Sequence, residues 1–118
     1  MSPPAEFDAS QLLKGALDLV VLAVLAEEEN YGYEVARRVW AGGLGDVREA
    51  SVYGTLNRLF RAGLLSARVA GSAAGPSRKY YDLSVQGHEY LAAGRQQWKA
   101  TRTAIDHLLD PDPLEGRP

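Results

Sequence analysis

The sequence contains no cysteine, one methionine and two histidines among 118 residues. Without thiols there are no disulfides and no thiolate metal sites, and nothing in the composition calls for an oxidising compartment. His88 and His107 lie nineteen positions apart; on one helix that is about five turns, so they cannot meet within one chain. No paired-carboxylate motif, nucleophile elbow, phosphate loop or zinc spacing occurs. The chain is therefore expected not to be an enzyme, with no catalytic residues, no metal ligands and no cofactor.

Long apolar runs are also lacking. The run Leu12 to Ala26 is broken by Lys14 and Asp18 and is too short to cross a bilayer. The opening Met1-Ser2-Pro3-Pro4-Ala5-Glu6-Phe7-Asp8 has neither the basic start nor the cleavage site of a signal peptide. No membrane partner and a cytoplasmic location are expected.

What the chain does have is charge of one sign in one place. The net charge is only −2, but Tyr31 to Asp82 carries eight Arg/Lys against four acids, a net +4, whereas residues 1–30 sum to −5 and residues 83–118 to −1. For nucleic-acid binding, this distribution matters more than the total.

The pattern predicts a mainly α fold with a β-hairpin. Residues 1–9 read as a flexible arm, with Ser10 as the cap of a first helix, Gln11 to Ala26, apolar nearly all round and hence buried. Asn30 is expected to cap a second helix, Tyr31 to Ala41, with Val35, Ala36 and Val39 facing inward and Gly42-Gly43 as its stop. Leu44 to Arg48 is a linker that can include a short extended piece. A third helix ends at Gly63, with Leu56 and Leu59 on one side and Ser51, Gly54, Asn57, Arg58 and Arg61 mainly on the other. Leu64 to Ala70 and Ser77 to Leu83 read as a hairpin with its tip at residues 71–76. Ser84 caps a last helix, Val85 to Asp110, stopped by Pro111 and Pro113; residues 111–118 read as a flexible tail. On it, Leu91, Trp98 and Ile105 recur every seven residues beside Leu108 and Leu109, a stripe that calls for a partner surface.

The order Tyr31-Gly32-Tyr33-Glu34, Ser51-Val52-Tyr53, Leu56-Asn57-Arg58-Leu59, Gly63-Leu64-Leu65, Arg78-Lys79-Tyr80-Tyr81-Asp82-Leu83-Ser84 and Gly87 resembles the PadR family of winged-helix transcriptional regulators, in its shorter branch with a single C-terminal helix. The likeness spans Leu12 to Leu109. It implies a winged helix-turn-helix domain over residues 10–83, a dimerisation helix over residues 84–110, and a homodimer held by Leu91, Trp98, Ile105, Leu108 and Leu109. It further implies a repressor that binds double-stranded DNA at an inverted repeat. Ser51, Tyr53, Gly54, Asn57 and Arg58 are then at or near DNA, and Arg78 and Lys79 anchor the wing. From charge alone, Arg58, Arg61, Arg78 and Lys79 suit phosphates, and Asn57 suits adenine.

Each of these residues also has a plainer reading. Arg58 and Arg61 are good helix formers on a solvated face, and Tyr80-Tyr81 fits a strand with one ring in the core and one near the surface. Phe60 offers an apolar contact to the wing or to the first helix. Trp98 is a large knob in a helix seam; in multidrug-sensing relatives the matching position implies a paired aromatic that sandwiches a planar aromatic or cationic effector, with Asp106 adding charge and each cation–π contact worth roughly 0.5–2 kcal/mol. A protein–protein adaptor of the same fold, or a small-molecule binding protein without a regulatory role, are the alternatives.

Overall fold

The computed structural model describes Phe7, residues 9–71 and residues 75–111. Most of the expected arm, the centre of the hairpin tip and most of the expected tail lie outside the described residues.

The expected first helix is two helices, α1 (Ala9–Leu13) and α2 (Leu17–Glu27). Between them the chain tightens into a turn at Lys14-Gly15-Ala16, where the Ala16 N–H donates to the Leu13 carbonyl at 3.0 Å, the spacing of a 3₁₀ turn. Gly15, the poorest helix former in this run, sits in the break. Because α1 already contains Ser10, that residue lies inside a helix and does not cap one. The all-round burial expected of the apolar stretch holds for α2. Leu17, Val21, Leu22 and Leu25 are buried, Leu19, Val20, Ala23 and Val24 half-buried, and the three helices that follow in the chain all pack against it.

Asn30 is not a cap either. With Tyr31 it forms a two-residue strand, β1 (Asn30–Tyr31), paired antiparallel with Tyr81 and Tyr80. Helix α3 (Gly32–Ala41) follows, with Val35, Ala36 and Val39 buried as expected. The short extended piece considered for Leu44–Arg48 is absent: that linker turns, and the Trp40 indole N–H holds it by donating to the Val47 carbonyl at 2.6 Å.

Helix α4 (Glu49–Arg61) leads into β2 (Leu65–Ala70) and β3 (Arg78–Leu83), and α5 (Val85–Leu109) closes the fold. The wing is a three-stranded sheet of order β1-β3-β2. Both α3 and α4 stop in the same way. Gly43 (φ 113°) and Gly63 (φ 80°) take the left-handed conformation, and the next N–H reaches back to the carbonyl five residues earlier, Leu44 to Val39 at 3.2 Å and Leu64 to Leu59 at 3.0 Å. This bond closes a Schellman motif, in which glycine carries no Cβ penalty. Thus a helix–turn–helix of α3 and α4 is pinned at both exits, with the wing and α5 leaving from one of them.

Candidate nucleic-acid interface

Helix α4 sorts its residues by face. Val52, Thr55, Leu56 and Leu59 are buried in the core, while Ser51, Tyr53, Gly54, Asn57, Arg58 and Arg61 are all exposed. A single apolar stripe at helical spacing therefore fixes the helix against α2 and α3 and leaves a polar outer surface. The predicted reading face is assembled as one surface. The space a Gly54 side chain would fill is open, so nothing within the chain requires glycine there, although it costs the helix about 1 kcal/mol relative to alanine. The Tyr53 ring meets the start of α3, where a methyl group on Gly32 would overlap it. Partial burial first, and the nearby Glu49 carboxylate second, push the Tyr53 hydroxyl above its ordinary pKa, so it stays a protonated donor at neutral pH.

Charge on this surface is reorganised by folding. Arg58 makes a bidentate pair with Asp18 of α2, at 2.7 and 2.6 Å, and this contact raises the guanidinium pKa. Arg38 pairs with Glu28 at 3.1 Å and with Glu34 at 3.6 Å; Arg37 pairs with Glu34 at 2.7 Å; Arg68 pairs with Glu29. The arginines beside Glu29 and Glu34 hold both carboxyls below the ordinary glutamate value. The acidic first segment thus pairs with three of the eight cations of the basic middle one, Arg38, Arg58 and Arg68, and Arg37 pairs within that middle segment. Among the described residues, Arg48, Arg61, Arg78 and Lys79 remain without an ion pair.

Strand alternation puts Arg78 and Lys79 on opposite faces of the wing. On one face the Arg78 guanidinium sits 4.3 Å from the Tyr31 ring centre, Tyr31 meets Tyr80 edge-on at 5.6 Å, and Arg68 caps Tyr80 at 5.0 Å. On the other, the Lys79 ammonium lies 4.7 Å from Phe60 and 5.4 Å from Tyr81. Phe60 and Tyr81 contact each other edge-on at 6.5 Å, so Phe60 packs on the wing. Tyr80 and Tyr81 are both half-buried, and only Tyr81 packs against the core.

Sequence reasoning missed the other wall of this surface. An open cleft of about 670 Å³ runs along α4, lined by Ser51, Gly54 and Arg58 of that helix, by Gln11 of α1 and Lys14 of the turn after it, and by Arg48. The break in the first helix creates this wall. Its only sequence signal was a glycine inside an apolar run.

Helix α5 is tied to the end of α4. The Ser84 Oγ accepts from the Gly87 N–H at 3.0 Å, the predicted cap, and donates to the Gly63 carbonyl at 2.7 Å. A Cβ on Gly87 would run into the Leu64 backbone carbonyl. Of the predicted stripe, Leu91 is buried against this chain's own core. Trp98 and Ile105 are 47% and 45% exposed, Leu108 and Leu109 81% and 80%. Trp98 borders two grooves between α2 and α5. Asp106 borders neither and lies by a shallow cleft with His107 and Asp110. The described residues hold no group of three metal-binding side chains, and no helix among them is long and apolar enough to cross a membrane.

Comparison with known proteins places this arrangement. A PadR-like transcriptional regulator from Bacillus cereus is similar over 87% of this chain and 100% of its own, at 35% identity and a TM-score of 0.77. A PadR family transcription regulator from Clostridium difficile R20291 is similar over 80% and 99%, at 26% identity and a TM-score of 0.72. An uncharacterized protein of Lysinibacillus sphaericus shares 26% identity over 103 residues, 86% of this chain and 94% of that protein. Residues 21–93, from the middle of α2 to the third turn of α5, match the family described as "Transcriptional regulator PadR-like family", and the chain belongs to that family of winged-helix transcriptional regulators.

Proposed function

We propose that the chain acts as a homodimeric, sequence-specific DNA-binding repressor, with α4 in the major groove and the wing on the flanking backbone. The observation that carries this reading is the outer face of α4. Its Val52, Leu56 and Leu59 are turned inward, and it leaves Ser51, Gly54, Asn57 and Arg61 in the open beside a wing whose Arg78 and Lys79 have no acid partner among the described residues. A helix with a polar outer face fits a major groove about 12 Å wide. Unpaired cations flanking it suit phosphates, and Lys14 and Arg48 extend that set.

Dimerisation through α5 is supported by its second half. At about 1.5 Å per residue the helix is about 37 Å long, and beyond Leu91 its apolar residues Trp98 and Ile105 are nearly half exposed and Leu108 and Leu109 about four-fifths exposed in the single chain. A second copy burying them removes an exposed stripe that a small monomeric domain rarely tolerates. Two-fold symmetry then presents two α4 helices to an inverted repeat, with half-sites about 34–36 Å apart in the simplest docking. A planar effector stacked on Trp98 at the seam would favour one angle between subunits, limited to the coupling its own preference supplies, about 1–3 kcal/mol.

Titration of labelled duplex from the protein's own upstream region, at several salt concentrations, tests the reading. Expected is a steep fall of affinity with salt, and a slope shallower by about 1 for each of Arg61→Ala and Arg78→Ala. Binding that ignores both salt and sequence contradicts it and leaves the adaptor or ligand-carrier readings.

A further inference from the structure

The two cations of the wing strand β3 are each held against aromatic rings. Pairing of β1 with β3 sets Tyr31 opposite Tyr80, which makes Arg78, two residues before Tyr80 on the same face, the diagonal neighbour of Tyr31. The Arg78 guanidinium lies 4.3 Å from the centre of that ring. On the other face the last turn of α4 brings Phe60 to Tyr81, and the Lys79 ammonium lies 4.7 Å from the first ring and 5.4 Å from the second. Both cations are exposed, and neither is ion-paired among the described residues.

Arg68 supplies the contrast within the same sheet. It also sits over a ring, Tyr80 at 5.0 Å, but Glu29 engages its guanidinium. An acid fixes a cation and cancels its charge, whereas a ring fixes it through the ring quadrupole and leaves the charge in place. A long side chain ordered before contact loses less freedom when it meets its ligand. Arg78 and Lys79 are thus held and still fully charged, the state best suited to a phosphate.

We infer that Tyr31 and Phe60 are positioning residues for DNA: they hold Arg78 and Lys79 where the duplex backbone passes the wing, and touch no phosphate themselves. The inference rests on the DNA-binding reading above. It adds two rings, one on the strand before α3 and one at the end of α4, to a surface otherwise defined by charge. Removing a ring leaves its cation on the wing, so the number of phosphates neutralised stays the same and only the affinity falls.

The test compares Tyr31→Leu, Phe60→Leu and Tyr31→Phe with the unaltered full chain, by proton NMR of the free protein and by titration of labelled duplex from its own upstream region at several salt concentrations. In the free chain, the δ protons of Arg78 should move downfield in Tyr31→Leu, and the ε protons of Lys79 in Phe60→Leu, as ring shielding is lost. On DNA, each Leu variant should bind about three- to ten-fold more weakly with an unchanged salt slope. Tyr31→Phe should bind like the unaltered chain, and Tyr31→Leu should add nothing in an Arg78→Gln background. Phe60 is 39% exposed, so Phe60→Leu carries the test if Tyr31→Leu alters the circular dichroism. Unmoved proton shifts, full affinity in the Leu variants, or the same loss in the Arg78→Gln background overturns the inference and leaves the DNA reading standing. A shallower slope in the Leu variants, the mark of a displaced wing, does the same. No binding by the unaltered chain overturns the DNA reading and this inference with it.

Discussion

Asp18 and Arg58 decide how much positive charge α4 can show to a phosphate. Their bidentate contact joins the first helix of the core to the reading face, yet Arg58 is 57% exposed on its side chain, so the pair adds at most about 1 kcal/mol to stability. Under the proposed function its larger expected effect is on binding. Asp18→Asn leaves Arg58 free, and the slope of log affinity against log salt should steepen by up to about 0.9, one phosphate's share; an unchanged slope would mean that Arg58 stays away from the backbone. Gly54 allows a second separation of folding from function. With open space at its missing Cβ and an ordinary helical backbone, Gly54→Ala should raise thermal stability by about 0.5–1 kcal/mol and lower DNA affinity, because the added methyl stands where a duplex would approach. A gain in both would remove α4 from the contact surface.

Among elements, the joint between α4 and α5 fixes how the two helices stand to each other, and with them the proposed reading face. Ser84 bridges the two helix ends, and Gly87 lets the first turn of α5 rest on the Leu64 carbonyl. Gly87→Ala is expected to cost about 1–3 kcal/mol, the range for forcing an extra methyl into a filled site, measured as a drop in denaturant midpoint at constant m-value. No loss would show the joint to be loose. Much of this architecture was legible in the sequence. The stops at Gly42-Gly43 and Gly63, the cap at Ser84, the hairpin and the inward faces of α3 and α4 each follow from a local rule that tertiary context did not override. The rest failed for local reasons as well. A two-residue strand has no alternation to detect, so Asn30 was read by its capping preference, although pairing with Tyr81 satisfies its backbone in another way. The break at Gly15 was hidden because apolar residues continue on both sides of it. The pairing of Asp18 with Arg58, forty positions apart, could not be read from composition, and neither could the pairing of Arg38 and Arg68 with acids of the first segment.

For the whole molecule, one chain has a single reading helix, a wing and a half-covered C-terminal helix, and each of these is incomplete alone. The hydrophobic core is one contiguous cluster centred on α2, so the chain folds as a unit, but the exposed end of α5 calls for a second copy. In the proposed dimer that copy would give the DNA surface its two-fold repeat. The most direct measurement is sedimentation of the full chain, first alone and then with a labelled duplex from its own upstream region. Expected is a species of twice 12.8 kDa at micromolar concentration, and two chains on each duplex at moderate salt. A species of 12.8 kDa that leaves the duplex free would contradict the paired reading heads on which the proposed function depends.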